Sequence, residues 1–339
     1  MKAIYTILTL NLQLFATTQT TKLDALSPEM KTFYDMTLID EAQAQLVHQQ
    51  FGQKRPIPQG SGKQIEFRKF AALPKALEPL TEGVTPSGKN LEVTTITAEV
   101  SQYGDFVQLS DVLELTAIDN VIVETTKLLG RQGGLTMDTV VRNVMQSGTN
   151  VSYCPSVVDG AATEVTSRAN LTKDSKLTVD MVKRIVAKLR AANAPTINGK
   201  YVAIIHPYVA YDLMSDPRWI EAHQYAKPEN LFEGEIGEIG GVRFVESSEA
   251  KIYTGDGCPD GLAVFGSLFM GANAYGVTEI TGGGMQTIVK QKGSAGSADP
   301  LDQRSSIGWK GILTAEILIP AYLVRVESCS EFSTTAQAN

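Results

Sequence analysis

Hydrophobic residues recur at helical spacing in three stretches of the chain and alternate with polar ones in several others. Residues 27–52 (SPEMKTFYDMTLIDEAQAQLVHQQFG) predict a helix with Ser27 as N-cap, Pro28 at the first position and Glu29 in the first turn. Phe33, Met36, Leu38, Ile39, Leu46 and Val47 give it an imperfect stripe, Gly52 stops it, and Pro56 and Pro58 force extended chain. Asp111 to Gly148 is the strongest helical segment. Ile118, Val121, Ile122, Leu128 and Leu129 open its apolar face, and Leu135, Val140, Val141, Val144 and Met145 resume it. Gly130, Gly133 and Gly134 between them predict a long helix with a weak or kinked middle, capped by Gly148. Val179 to Asn193 places Val182, Ile185, Val186 and Leu189 on one face and Lys183, Arg184, Lys188 and Arg190 on the other.

Lys63 to Phe70 alternates as a strand, and Leu91 to Leu109 predicts a longer strand or strand pair. Ala71 to Asn90, between them, holds Pro74, Pro79, Gly83, Pro86 and Gly88 and has no core face. A structureless loop of that length is unusual inside a compact domain, so this hairpin reads as leaving its domain to be held by a neighbour. Tyr201 to Ile205 is a short apolar strand closed by His206-Pro207, with a helix over Tyr208 to Met214. Further strands fall at Val242 to Glu246, Leu262 to Phe265 and Thr287 to Lys290, and Gly293 to Ala298 is a flexible link. Ile312 to Ile319 and Tyr322 to Val326 predict a closing strand pair around Pro320, and the last ten residues are expected to fray. Helices and strands interleave without a regular βαβ repeat, so the fold class is α+β.

The chain has 339 residues, 43% hydrophobic and 20% charged, which fits a globular protein of about two domains and excludes disordered and fibrous classes. A net charge of −7 gives no global basic field for nucleic acid. Cys154, Cys258 and Cys329 are too few and too widely spaced for a disulfide framework or a metal knuckle, which favours a reducing compartment. No stretch reads as a membrane span. Lys2 and the apolar Ala3 to Leu10 resemble the front of a signal peptide, but Asn11 and Gln13 break the run and no small-x-small site precedes Thr17.

Candidate chemistry changes this picture little. Gly83 to Asn90 (GVTPSGKN) comes within one residue of a phosphate-binding loop, but Asn90 stands where a magnesium-holding hydroxyl is needed and the flanks are loop and strand. Gly234 to Gly241 (GEIGEIGG) lacks dinucleotide-binding spacing and reads as a tight turn into the strand at Val242. His48, His206 and His223 have no ligand-spaced partners, and no nucleophile elbow occurs. No catalytic, cofactor or metal site is expected. The Lys183/Arg184/Lys188/Arg190 face is either solvated or meets an acidic partner surface, with Arg184 and Lys188 as its candidate interface residues.

Four stretches together resemble the major capsid proteins of tailed bacteriophages, which share the Hong Kong 97-type shell fold. They are NLQLFATTQTT (Asn11 to Thr21), the Ile65 to Leu109 region, GEIGEIGGVRFVES (Gly234 to Ser247) and DPLDQRSSIGWKGILTAEILIPAYLVRVES (Asp299 to Ser328). The last two resemble a subfamily that includes large podophage shells. Met1 to Leu10 precedes the usual start of such proteins.

The resemblance implies an N-terminal arm and helix over 1–60, an extended-loop hairpin over 61–108, and a peripheral domain over 109–178 with a spine helix from Asp119 to Ser147. An axial domain mostly within 179–285 follows, and C-terminal strands over 286–339 return to the peripheral domain. It implies a non-enzymatic subunit that assembles as pentamers and hexamers into an icosahedral virion shell around double-stranded DNA, formed in the host bacterial cytoplasm. Its partners would be other copies, a portal, scaffold or decoration proteins, and DNA contacted non-specifically, with no membrane and no cofactor. The negative charge suits a genome that must stay mobile. Leu73, Lys75, Leu77, Glu78, Leu80 and Glu82 are the candidate intersubunit contacts of the extended loop. No motif selects Lys75 or Lys89 for covalent crosslinking. A bacterial nanocompartment shell of the same fold, or a soluble enzyme with an unrecognised pocket, are the rival readings.

Overall fold

The computed structural model describes residues 28–43, 45–56, 63–70, 93–116, 121–158, 161–224, 237–278, 285–294 and 299–339, with scattered positions between 73 and 91. The helices are α1 (Pro28–Gln43), α2 (Asp111–Thr116), α3 (Val121–Gln146), α4 (Val179–Ala191), α5 (Pro207–Met214) and α6 (Pro217–Gln224). Strands β1 (Gln53–Arg55), β2 (Gln64–Phe70), β3 (Val93–Glu99) and β4 (Ser101–Ser110) precede α3. Then come β5 (Val151–Tyr153), β6 (Ser156–Val158), β7 (Ala161–Thr163), β8 (Tyr201–Ile205), β9 (Glu238–Ile239), β10 (Val242–Glu246) and β11 (Ile252–Tyr253). The last are β12 (Val264–Met270), β13 (Tyr275–Thr278), β14 (Met285–Lys290), β15 (Arg304–Leu313), β16 (Ala315–Ile317) and β17 (Leu323–Ser328).

The main sheet has the order β5-β17-β12-β8-β10-β9, with β11 added to β12. Its central strands β8 and β12 are buried throughout, which is why they read as continuous apolar runs rather than alternating ones. Alternate residues serve two cores. Ala203, Ile205, Phe269 and Val326 pack with Val182, Ile185 and Leu189 of α4. Val202, Ile204, Leu268 and Met270 face Met137, Val141 and Met145 of α3. A second sheet, β14-β15-β4, sends Ile307, Trp309 and Leu313 into that α3 core.

Helix α3 runs unbroken through Gly130, Gly133 and Gly134, contrary to the expected weak middle. These glycines make close approaches. A Cβ on Gly130 would lie 2.8 Å from the Leu38 carbonyl oxygen, and one on Gly134 2.5 Å from that of Ala42. The matching steps of four show α1 and α3 running in the same direction with their backbones nearly touching. Tyr34, Leu38, Ala42 and Leu46 are the buried apolar residues described in this N-terminal segment, whereas Phe33 and Met36 of the expected stripe are exposed. The helix ends at Gln43, well before Gly52, and the Ser27 N-cap lies outside the described residues.

Three further expectations are corrected. The Leu91–Leu109 stretch is two strands, as the strand-pair alternative expects, but they lie in different sheets: β3 pairs with β2, and β4 with β15. The strands on either side of Pro320 do not pair with one another. β16 joins β13, β15 joins β4 and β14, and β17 lies between β5 and β12 in the main sheet. They therefore divide among three sheets. The final residues do not fray, because Ser330 and Ser333 are buried and Asn339 is hydrogen-bonded to residues 250 and 252. Small polar side chains there satisfy backbone groups, a use that their polarity alone does not reveal.

Candidate assembly surfaces

The β2–β3 hairpin pairs in register from Gln64 opposite Glu99 to Phe70 opposite Val93. At its base Ile65, Phe67 and Ala98 form a small cluster with Leu318. Phe67 is fully buried because Gly276 on β13 has no side chain, and a Cβ there would collide with the phenyl ring. The root of the hairpin is thus fixed to its own chain. Beyond Phe70 the character changes. Leu73, Leu77 and Leu80 are 59%, 82% and 78% exposed. Lys75 and Glu82 are exposed as well, while Glu78 lies outside the described residues. Every described residue from 73 to 91 is exposed. Lys89 of the phosphate-loop-like run is also exposed, and the run leads towards strand β3, not into a helix.

The outer face of the β14-β15-β4 sheet offers a second apolar surface, one that the sequence reading missed. Phe106, Gly308 and Ile288 stand side by side across the three strands. Phe106 and Ile288 are exposed, the absent side chain of Gly308 lets Phe106 approach closely, and the three residues line a shallow notch. Only the strand register brings these residues together, so no local sequence signal could have found it.

Helix α4 starts at Thr178, whose hydroxyl oxygen accepts the Met181 N–H. Its buried and charged faces lie as the periodicity predicts. Arg184 pairs with Glu164 at 3.3 Å, and Lys188 donates to the Ser152 hydroxyl at 2.8 Å. The two side chains border a shallow cavity between α4 and β5 that also includes Tyr153 and Pro155. Both candidate interface cations therefore have partners in their own chain, and they lie on a different part of the molecule's secondary structure from the hairpin.

Buried charges are structural here. Arg168 donates two hydrogen bonds, of 2.7 and 2.6 Å, to the fully buried Glu327 carboxylate, and its guanidinium stacks 3.6 Å above the Tyr253 ring. Those bonds raise the pKa of Arg168 above its ordinary value. Asp138 of α3 accepts both the backbone N–H of His48 at 2.7 Å and a bond of 2.6 Å with His48 Nδ1. This fully buried pair fixes the chain after α1 to α3. His206 caps α5 as its Nδ1 accepts the Tyr208 N–H at 3.1 Å, and burial lowers its pKa to about 4. Burial pushes the Cys329 thiol up to about 11 and the Cys154 thiol up too, so neither is an activated nucleophile. Among the described residues no three His, Cys, Asp or Glu side chains gather as a metal site, and no helix is long and apolar enough to cross a membrane.

Comparison with known proteins agrees with this geometry. The capsid of Ralstonia phage GP4 superposes with a TM-score of 0.65 at 14% identity, covering 97% of this chain and 99% of that one. The capsid of Cyanophage P-SCSP1u gives 0.59 at 14% identity over 81% and 86% of the two chains. The Cyanophage Pam1 capsid gives 0.59 at 12% identity over 97% and 99%. No curated protein matches the sequence. The family described as phage capsid protein matches residues 107–295, more than half of the chain and inclusive of α3, α4 and most of the main sheet. The chain belongs to the phage capsid protein family and is a major capsid protein with the Hong Kong 97-type shell fold.

Proposed function

We propose that copies of this subunit close as pentamers and hexamers into an icosahedral virion shell around phage double-stranded DNA, assembled in the host cytoplasm with a portal and a scaffold or decoration protein. In this reading the chain acts structurally and not as an enzyme. Residues 1–60 serve as arm and helix, and 61–108 as the extended loop. The peripheral domain takes 109–178 with α3 as its spine helix, the axial domain lies mostly within 179–285, and the C-terminal strands over 286–339 return to the peripheral domain.

One observation carries the reading. The hairpin is rooted by Phe67 yet presents Leu73, Leu77 and Leu80 to solvent on the same arm. Exposed apolar side chains grouped on one segment mark an interaction site, and a neighbouring copy supplies the missing partner. Lys75, Glu78 and Glu82 then meet polar groups at the rim of that contact. Many copies of a modest contact add up in a closed particle, because each subunit is held at several edges at once.

Electron microscopy and sedimentation of the purified protein, expressed with its phage partners, test this. Closed particles of uniform diameter are expected. A protein that stays monomeric or dimeric at high concentration overturns the reading.

A further inference from the structure

The segment 330–339 is held at two separate places. At its near end the Ser330 hydroxyl donates to the Tyr208 carbonyl at 3.2 Å, and the Glu331 N–H donates to the Asp212 carboxylate at 3.1 Å, both on α5. The Phe332 ring stacks on Tyr208 with centroids 4.5 Å apart and meets Tyr211 edge-on at 5.5 Å. Lys176 and Lys173 pair with the Glu331 carboxylate at 2.5 and 3.4 Å. At the far end Asn339 Oδ1 accepts the Ile252 N–H at 3.0 Å, and its Nδ2 donates to the Ala250 carbonyl at 2.9 Å. Its main-chain oxygen accepts from Arg142 at 3.4 Å and from Lys251.

The chemistry of the far end is specific. Arg142 lies on α3 and is almost wholly buried, and a buried cation is costly unless its donors are matched. The Glu249 carbonyl at 2.6 Å and the Asn143 side-chain oxygen at 3.3 and 3.2 Å take part of that demand, and Asn339 takes another part. The carboxamide of Asn339 also offers one donor and one acceptor to the backbone of 250–252, as a strand partner would. Alanine loses both bonds. Aspartate puts an acceptor against the Ala250 carbonyl.

We propose that Arg142, Lys251 and the backbone of 250–252 form a recognition site for Asn339, which makes residues 330–339 a strap tying α5 to α3 that releases as a unit. Between its anchors the segment forms no strand, and the Ser333 carbonyl accepts the Ala263 N–H at 2.8 Å. The Glu331 ion pairs lie at the surface, where salt screens them. By contrast β12 pairs with β17 from Phe265 to Met270 and, on its other edge, with β11 at Val264 and Phe265 and with β8 at Leu268 to Met270. Segments held by few buried contacts open below the free energy of global unfolding.

Hydrogen exchange of the intact protein, Asn339→Ala and Asn339→Asp tests this on unassembled subunits, so its outcome is independent of shell formation. Loss of two hydrogen bonds in Asn339→Ala is expected to speed exchange in the 250–254 segment about tenfold or more, leaving β8 and β12 unchanged. Asn339→Asp is expected to match or exceed that. Raising salt is expected to speed exchange at 330–333 ahead of β12. Unaltered exchange at 250–254 in Asn339→Ala overturns the recognition site. Tail and β12 losing protection together as denaturant rises overturns release as a unit, and Phe332→Ala repeats that second test from the near anchor.

Discussion

The α1–α3 seam and the tip of the β2–β3 hairpin are both apolar by sequence, yet they end in opposite environments. At the seam Leu38, Ala42, Gly130 and Gly134 bring two backbones together, and the surrounding side chains are excluded from water. At the tip Leu73, Leu77 and Leu80 face solvent. The seam's residues repeat every four positions and meet a complementary repeat in the same chain. The tip's leucines are interrupted by prolines and glycines and meet nothing described in their own chain. Apolar content that folds a subunit is distinguished from apolar content that joins subunits by whether the chain itself supplies the opposing face.

The largest expected effect breaks the seam. Gly134→Val adds atoms where even a Cβ lies 2.5 Å from the backbone oxygen of Ala42, and backbone cannot swing aside as a flexible side chain can. Replacing a helical glycine by valine in open space should gain about 0.3 kcal/mol from propensity. Overpacking reverses that sign, and a net loss of about 3 kcal/mol is expected in chemical denaturation. An unchanged or raised midpoint would show that the helices do not approach this closely.

Acidity sharpens the contrast, since the body of the subunit carries the buried His206 whereas the tip's described charges, Lys75 and Glu82 among them, are exposed. His206 has its pKa lowered by burial from 6.5 to about 4. The folded state therefore disfavours the protonated ring. Stability is full above pH about 6.5, falls as the unfolded chain takes up a proton that the native state refuses, and levels off below about 4. A loss of roughly 2–3 kcal/mol across that window is expected. His206→Asn keeps an N-cap acceptor without a titrating ring. Its stability should be flatter between those limits, and parallel curves for the two proteins would remove His206 as the cause.

Local periodicity made α4 legible from its first turn to its last, because one amphipathic face against one sheet is a local pattern. It also placed β8 and β10 correctly, with the Gly240–Gly241 turn at φ 63° and 85° leading into β10. The glycines of α3 were misread for a physical reason. Glycine lowers helix propensity whether it marks a break or a close approach, and only the partner helix decides which. The notch of Phe106, Gly308 and Ile288 and the buried pairs Arg168–Glu327 and His48–Asp138 join residues far apart in sequence, so they depend on register and topology. The tail was misread because Ser, Thr and Asn look alike whether solvated or satisfying backbone donors.

The smallest expected effect on the subunit itself, and the one that separates folding from assembly, is at the tip. Leu73→Ser, Leu77→Ser and Leu80→Ser together remove three large apolar groups that are already exposed. Substitutions at such surface positions change stability by about 0.5 kcal/mol or less each, so the unassembled triple variant should unfold near the wild-type midpoint with unchanged circular dichroism. The hairpin root stays in place because Phe67 and Ile65 are untouched. If a neighbouring copy covers the tip, the same changes forfeit buried apolar area once for every subunit of the particle, and shells should be absent or dissociate at lower temperature. Two results break the comparison. A destabilised subunit would put the leucines in their own core, and shells of undiminished heat resistance would show that the tip meets no partner that matters.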